Sequence, residues 1–173
     1  QIALLGLLEQ RGDASAGAAV LGAARRGGRD VRIAAITASG TWGDASAVPV
    51  LVAAATSRDE LEQKVARGAL IELRHGRIAE AMVNHLASAR PEVQAELIRA
   101  LTARNDKSAV PNLIELARTE TGPAQRAALR GLEQLAGPSD IPALVQLLIA
   151  ASDDGTRAGI RSVFEAIADR TDG

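Results

Sequence analysis

The sequence contains no cysteine and no tyrosine, and it has only one tryptophan and one phenylalanine. Without cysteine the chain can form neither disulfide bonds nor thiolate-based catalytic or metal sites. β-Sandwiches and barrels favour aromatic and β-branched residues, whereas Ala and Leu dominate the apolar residues here. Alanine is the best helix former because it loses no side-chain entropy in a helix. The composition therefore favours an all-α fold with closely packed helices.

The chain also lacks an excess of charge of either sign. It has 20 Lys and Arg residues and 21 Asp and Glu residues, which gives a formal net charge of −1. Strong attraction to nucleic acid needs a large positive charge, so no nucleic-acid partner is expected. No apolar run reaches the roughly 18 residues of a spanning helix, so no membrane insertion is expected. The sequence begins with Gln, and residues 2–8 have the pattern of a helix cut part-way, so we expect a piece of a longer chain.

A repeat of thirty-one residues runs along the chain. The hexapeptide GDASAG at 12–17 returns as GDASAV at 43–48, and serine recurs at the same step at 108 and 139. Apolar residues follow each of these positions at the spacing of one helical stripe. The pattern predicts helices, here called B helices, near 15–25, 46–56, 77–88, 108–119 and 139–151. We expect the serine to be the N-cap, and Pro49, Pro111 and Pro142 to lie in the first turn.

A second helix, called A, precedes each B helix in the pattern. The same step from Leu5 gives Ile36, Arg67, Ile98, Leu129 and Ile160. Because Arg67 interrupts this apolar series, we expect the third A helix to slide by three residues, so that Leu70 and Leu73 become the buried pair. One such hairpin cannot bury its apolar face without stacking on its neighbours.

The sequence thus predicts an all-α, right-handed α-α superhelix of about five and a half two-helix repeats. We expect one domain over residues 1–173. Its repeats are predicted at 1–28, 29–57, 58–89, 90–120 and 121–152, with a half repeat at 153–173.

The stretch VRIAAITASGTWGDASAVPVLVAAATS at 31–57 resembles a HEAT-like repeat of the phycobilisome-lyase type. The matching residues are Arg32, Ala34, Ala35, Gly40, Asp44, Ala47, Val48, Pro49 and Leu51. DKSAVPNLIELA and PSDIPALVQLL repeat the second half of the pattern. The resemblance implies a HEAT-like solenoid whose B helices line the concave side. It also implies a binding scaffold, since most members of that family are scaffolds and some act in attaching bilins to phycobiliproteins.

The predicted partner-binding surface is the concave face of the B helices, opposite their buried stripe. Its members are Val50, Ala53, Ala81, Asn84, Asn112, Glu115 and Gln146. This surface is small-sided and nearly uncharged, and it lacks the Trp, Tyr and Arg anchors on which strong interfaces usually depend. We expect it to bind a protein, a peptide or another region of the parent chain. The alternative is an ordinary solvated face of alanine-rich helices.

A second candidate surface is a ladder of arginines on the convex side, Arg99, Arg130 and Arg161, again thirty-one residues apart. Such a ladder could follow nucleic-acid phosphates, which gives a nucleic-acid-binding solenoid as an alternative function. Glu96, Glu133 and Glu165 stand three or four residues away, so surface ion pairs are the favoured interpretation. A bilin-lyase-like protein is the other alternative.

No catalytic residue, metal site or cofactor is predicted. Neither His75 nor His85 has a second ligand one helical turn further on, and no phosphate-binding loop follows a strand. Trp42 is expected to cover the end of its helix pair rather than to serve as a binding hot spot. The sequence therefore predicts a non-enzymatic protein.

Overall fold

The computed structural model describes residues 14–171, which form ten α-helices and no β-strand. The B helices are α1 (Ala14–Arg26), α3 (Val48–Ala55), α5 (Ile78–Leu86), α7 (Val110–Thr119) and α9 (Ile141–Ala150). The A helices are α2 (Arg29–Trp42), α4 (Glu60–Glu72), α6 (Pro91–Ala103), α8 (Gly122–Leu135) and α10 (Asp154–Thr171). The predicted all-α class and the alternation of A and B helices are confirmed. The predicted helix at residues 2–8 lies outside the described residues.

The chain divides into two compact units, residues 1–85 and 86–173. In the first unit α2 packs against α1 and α4, and α4 also packs against α3. In the second unit α8 packs against α6, α7 and α10, which are its near neighbours in the chain. The residues predicted for the apolar seam are buried in both units: Ile36, Leu51, Met82, Ile98, Leu113, Leu129, Leu144 and Ile160.

The B helices α3 and α7 do not begin at a serine N-cap, and this prediction is wrong. Ser46 lies inside a 3-10 turn (Ala45–Ala47), and the Asp44 carboxylate accepts from its backbone N–H at 2.8 Å and its hydroxyl at 2.6 Å. These hydrogen bonds lower the pKa of Asp44. The Ser108 hydroxyl donates in the same way to Asp106 at 2.8 Å. At the 3-10 turn before α3 the Asp44 carboxylate takes the capping role in place of the serine, because an anion is favoured at a helix N-terminus.

Helix α4 keeps the thirty-one-residue register, so it does not slide by three residues. The predicted buried pair is nevertheless confirmed, because Leu70 and Leu73 are both fully buried. The Asp59 carboxylate fixes its start by accepting the backbone N–H groups of Leu61 at 3.0 Å and Glu62 at 3.2 Å. Leu70 is fully buried one turn after Arg67, as Leu101 is in the next repeat. Arg67 keeps its seam position and is half-buried there.

A glutamine near the start of several A helices ties that helix to the end of the preceding B helix. Each side-chain amide donates to a backbone carbonyl: Gln63 to Ser57 at 2.6 Å, Gln94 to Leu86 at 3.4 Å, and Gln125 to Ala117 at 3.0 Å. Ala117 lies in the last turn of α7, where carbonyls have no partner inside the helix, so the Gln125 amide satisfies a group that would otherwise need water. The repeat therefore carries a polar signature as well as an apolar seam.

Candidate functional site

A groove with a volume of about 490 Å³ lies in the first unit, where the B helices α1 and α3 meet the starts of the A helices α2 and α4. Its apolar surface comes from the B helices: Ala24, Pro49, Val50, Ala53 and Ala54. Its polar surface comes mainly from helix ends and the loop before α4: Arg25, Arg32, Ser57, Arg58, Asp59 and Glu62. The groove therefore combines an apolar floor with a charged rim.

Two of the seven predicted partner-binding residues line this groove. Ala53 is exposed, whereas Val50 is only 4% exposed because α1 packs against α3, so Val50 belongs to the floor rather than to an open face. The other five lie outside it. Asn84, Glu115 and Gln146 are exposed on α5, α7 and α9, and Ala81 and Asn112 are half-buried.

Both acidic side chains in the groove form ion pairs between successive A helices. The Asp59 carboxylate accepts two hydrogen bonds from the Arg29 guanidinium, and Glu62 Oε2 accepts from Arg32 Nη2 at 2.9 Å. The Arg29 hydrogen bond is the main reason that the pKa of Asp59 falls to about 2, and the backbone N–H of Glu62 lowers it further. Glu62 is buried, so its pair with Arg32 forms part of the packing between α2 and α4.

The low pKa of Asp59 predicts an acid-sensitive contribution to stability. A carboxyl group with a depressed folded-state pKa stabilises the fold above its unfolded value near about 3.9 and loses this effect as the pH falls towards the folded value. We therefore expect D59N to lower the melting temperature at neutral pH. Between about pH 4 and about pH 2, D59N should then lose less stability than the wild type.

Thermal melts followed by circular dichroism across this pH range test the prediction. The matched control is D169N, because Asp169 is exposed on α10. Asp44 and Asp153 also have lowered pKa values, so D59N should retain part of the acid dependence. An acid-induced loss in D59N as steep as that in D169N would contradict the assignment.

The second unit has a groove at the equivalent place in the repeat, but its volume is only about 60 Å³. Its residues follow those of the first groove by three repeats: Ala117, Arg118 and Gln125 correspond to Ala24, Arg25 and Arg32. Leu147 stands where the first unit has Ala54. The larger side chain occupies the equivalent space in the second unit, so the groove at residues 117–156 is much smaller than the one at residues 24–62.

The arginine ladder lies on the A helices, with Arg99, Arg130 and Arg161 all exposed. Arg99 Nη1 pairs with Glu96 at 3.2 Å, as predicted. Arg130 and Arg161 form no ion pair with a residue in the described range. Within the described residues, one of the three arginines of the ladder is thus neutralised by an ion pair and two are not.

Two apolar surfaces depart from the packed pattern. Trp42 is the last residue of α2 and is 59% exposed, so it does not cover the end of its helix pair as predicted. Ile141, Val145 and Ile149 form an exposed stripe along α9, whereas the equivalent residues Val48 and Val52 of α3 are buried. An exposed stripe of this kind is a feature of interaction surfaces.

Residues 14–171 contain no group of three His, Asp or Glu side chains placed to hold a metal ion. Among the same residues, no helix combines the length and the apolar character needed to cross a membrane.

Comparison with known families places HEAT repeats in this chain: residues 79–164 match the family model described as HEAT repeats. The HEAT-like identity of that segment is therefore confirmed, while the phycobilisome-lyase-type detail stays a prediction. No curated protein sequence matches the chain.

Solved structures that resemble this chain include an engineered protein from a structural genomics consortium, with 23% identity and a TM-score of 0.47 over 98% of this chain and 90% of that one. A designed armadillo repeat protein in complex with the peptide (KR)4 has 15% identity and a TM-score of 0.48, over 94% and 91% of the two chains.

Proposed function

Because residues 79–164 carry HEAT repeats, we propose that the protein is a non-catalytic scaffold that binds an extended segment of a protein partner on its B-helix side. The observation that carries this proposal is the open groove of the first unit. Binding sites are typically concave, largely apolar clefts of about 300–1,000 Å³ with a few polar groups at their edges. The groove meets this description with small apolar side chains below and arginines above.

A peptide chain suits this groove better than a compact small molecule does. The floor is lined by alanine, valine and proline, which leave room for the side chains of an incoming segment. The rim offers guanidinium groups, which can donate hydrogen bonds to backbone carbonyls and carboxylates. The described residues contain no grouping of reactive side chains that would make this groove a catalytic centre, so binding alone is proposed.

The experiment is selection of binders from a random peptide library displayed on phage, followed by binding measurements with two variants. A53F places a bulky ring in the groove from an exposed position on α3. T37F places the same ring at an exposed position on the A helix α2, outside the groove. Circular dichroism melts check that both variants fold.

We expect selected peptides to bind the wild type and T37F with affinities equal to within about twofold, since changes at exposed positions outside a binding site usually cost under about 0.5 kcal/mol. Binding to A53F should weaken by at least about tenfold, because the ring occupies the space that a ligand needs. Selected peptides that bind A53F as tightly as T37F would rule out the groove as the binding surface.

A further inference from the structure

We infer that the groove of the first unit takes an acidic ligand: a peptide segment whose Asp or Glu side chains pair with Arg25 and Arg58 while a small apolar side chain sits on the alanine floor. This inference rests on the proposed function and adds the chemistry of the ligand. It starts from the charges that line the groove. Three arginines face two carboxylates, and both carboxylates are already paired within the protein.

Arg25 and Arg58 are the cations left over. Arg32 is held by Glu62, and Arg29 neutralises Asp59. Arg25 and Arg58 are both exposed, and neither forms an ion pair within residues 14–171. A ligand carboxylate that reached both would meet two guanidinium groups, and hydrogen bonds between charged groups are stronger than those between neutral ones.

The two equivalent grooves differ at most of their lining positions, and three of these differences favour an open groove with unpaired cations in the first unit. In the second unit Arg118 is neutralised by Glu115, with Nη2 and Oε1 2.6 Å apart. The position equivalent to Glu115 in the first unit is Gly22, so Arg25 has no acidic neighbour one turn earlier on its helix.

The other two differences concern space and charge. Ala54 replaces Leu147 and opens the floor, and Arg58 replaces Ala151 and adds a cation to the rim. These three differences open the groove and leave Arg25 and Arg58 as its free cations. Asp59 and Glu62, which stand where the second unit has Ser152 and Gly155, do not offset them, because each is already paired with an arginine. The small groove of the second unit therefore serves as the comparison for the open groove of the first.

A peptide fits these features better than a nucleic acid does. Single-stranded nucleic acids are held mainly by aromatic side chains that stack on bases, together with a long basic track. None of the residues lining the groove is aromatic, and its positive charge is confined to one cluster. An apolar floor beneath a pair of arginines matches a segment that alternates acidic and small apolar residues.

The test uses the same library with a second pair of variants. The first is the double variant R25Q/R58Q, which removes both free cations and keeps the length and polarity of the side chains. The control is R118Q, at the position equivalent to Arg25 in the second unit, where the arginine is already paired. Peptides selected on the wild type are sequenced, and one of them is synthesised with its Asp and Glu residues and again with Asn and Gln in their place.

We expect the selected peptides to be net acidic, and their binding to strengthen as the salt concentration falls. The amide counterpart should bind the wild type about tenfold more weakly, as expected for the loss of two solvent-accessible ion pairs. R25Q/R58Q should bind the acidic peptide with the same loss and should no longer distinguish it from the amide form. R118Q should match the wild type to within about twofold.

Neutral or basic selected peptides that are still blocked by A53F would overturn the acidic ligand and leave the proposed function standing. Selected peptides that bind A53F as tightly as the wild type would overturn both the acidic ligand and the proposed function. Binding of oligothymidine that depends on Arg25 and Arg58, without binding of any acidic peptide, would also overturn the inference in favour of a nucleic acid.

Discussion

Replacement of Leu129 by alanine is expected to lower the free energy of unfolding by about 2–5 kcal/mol. Leu129 is buried on α8 at a seam position of the thirty-one-residue repeat. Its Cδ1 atom lies 2.8 Å from the point that a Cβ atom on Gly159 would occupy, so the side chain rests directly against the backbone of α10. The neighbouring helices cannot close a cavity at this point without shifting their axes, which adds a cavity cost to the lost burial.

Urea denaturation followed by circular dichroism measures this effect. The control is Q146A, because Gln146 is exposed on the B helix α9 and its truncation should change stability by under about 0.5 kcal/mol. If Q146A proved more costly than L129A, the assignment of buried and exposed faces would be reversed.

Replacement of Gly40 by alanine is expected to destabilise the first unit by about 1–3 kcal/mol, although the change adds only one methyl group. Gly40 is buried near the end of α2, where a Cβ atom would lie 2.7 Å from Ala69 Cα and 2.8 Å from Ala69 Cβ on α4. The nearest of these atoms belongs to the backbone of α4, so relief requires the two A helices to move apart. Such a movement would also strain the Arg32–Glu62 pair, which joins the same helices.

Gly68 is the matched control because it lies on α4, and a Cβ atom there would have no neighbour within 4 Å. G68A should be neutral or should stabilise by about 0.5–1 kcal/mol, since alanine restricts the unfolded chain and favours helix. Thermal melts of both variants give the comparison. Equal melting temperatures for G40A and G68A would show that α2 and α4 are not in close contact at this point.

The repeat period was sufficient to predict most of the architecture. Apolar residues recurring at a fixed step place Ile36, Leu129 and Ile160 in the core, and proline in the first turn marks the starts of the B helices. Errors arose where one side chain was given too much weight. Arg67 suggested a shifted helix, but the cap at Asp59 determines where α4 begins, and a half-buried seam position tolerates a long cation.

The groove was only partly predictable. Helical periodicity predicts that Ala53 is exposed, but it cannot show that packing of α1 against α3 buries Val50. It does not single out Arg25 and Arg58 of the proposed site, because they lie at a helix end and in a loop, where the apolar pattern gives no information. A position-by-position comparison of the repeats could have singled them out, since Gly22 stands where a later repeat has Glu115.

Backbone-amide NMR during titration with a selected acidic peptide tests the groove assignment most directly. Chemical-shift changes should concentrate at residues 24–25, 50–58 and the start of α4, and in R25Q/R58Q they should require about tenfold more peptide. Changes spread along the A-helix surface around Thr37, or unaltered in the double variant, would contradict both the site and the basis of its charge selectivity.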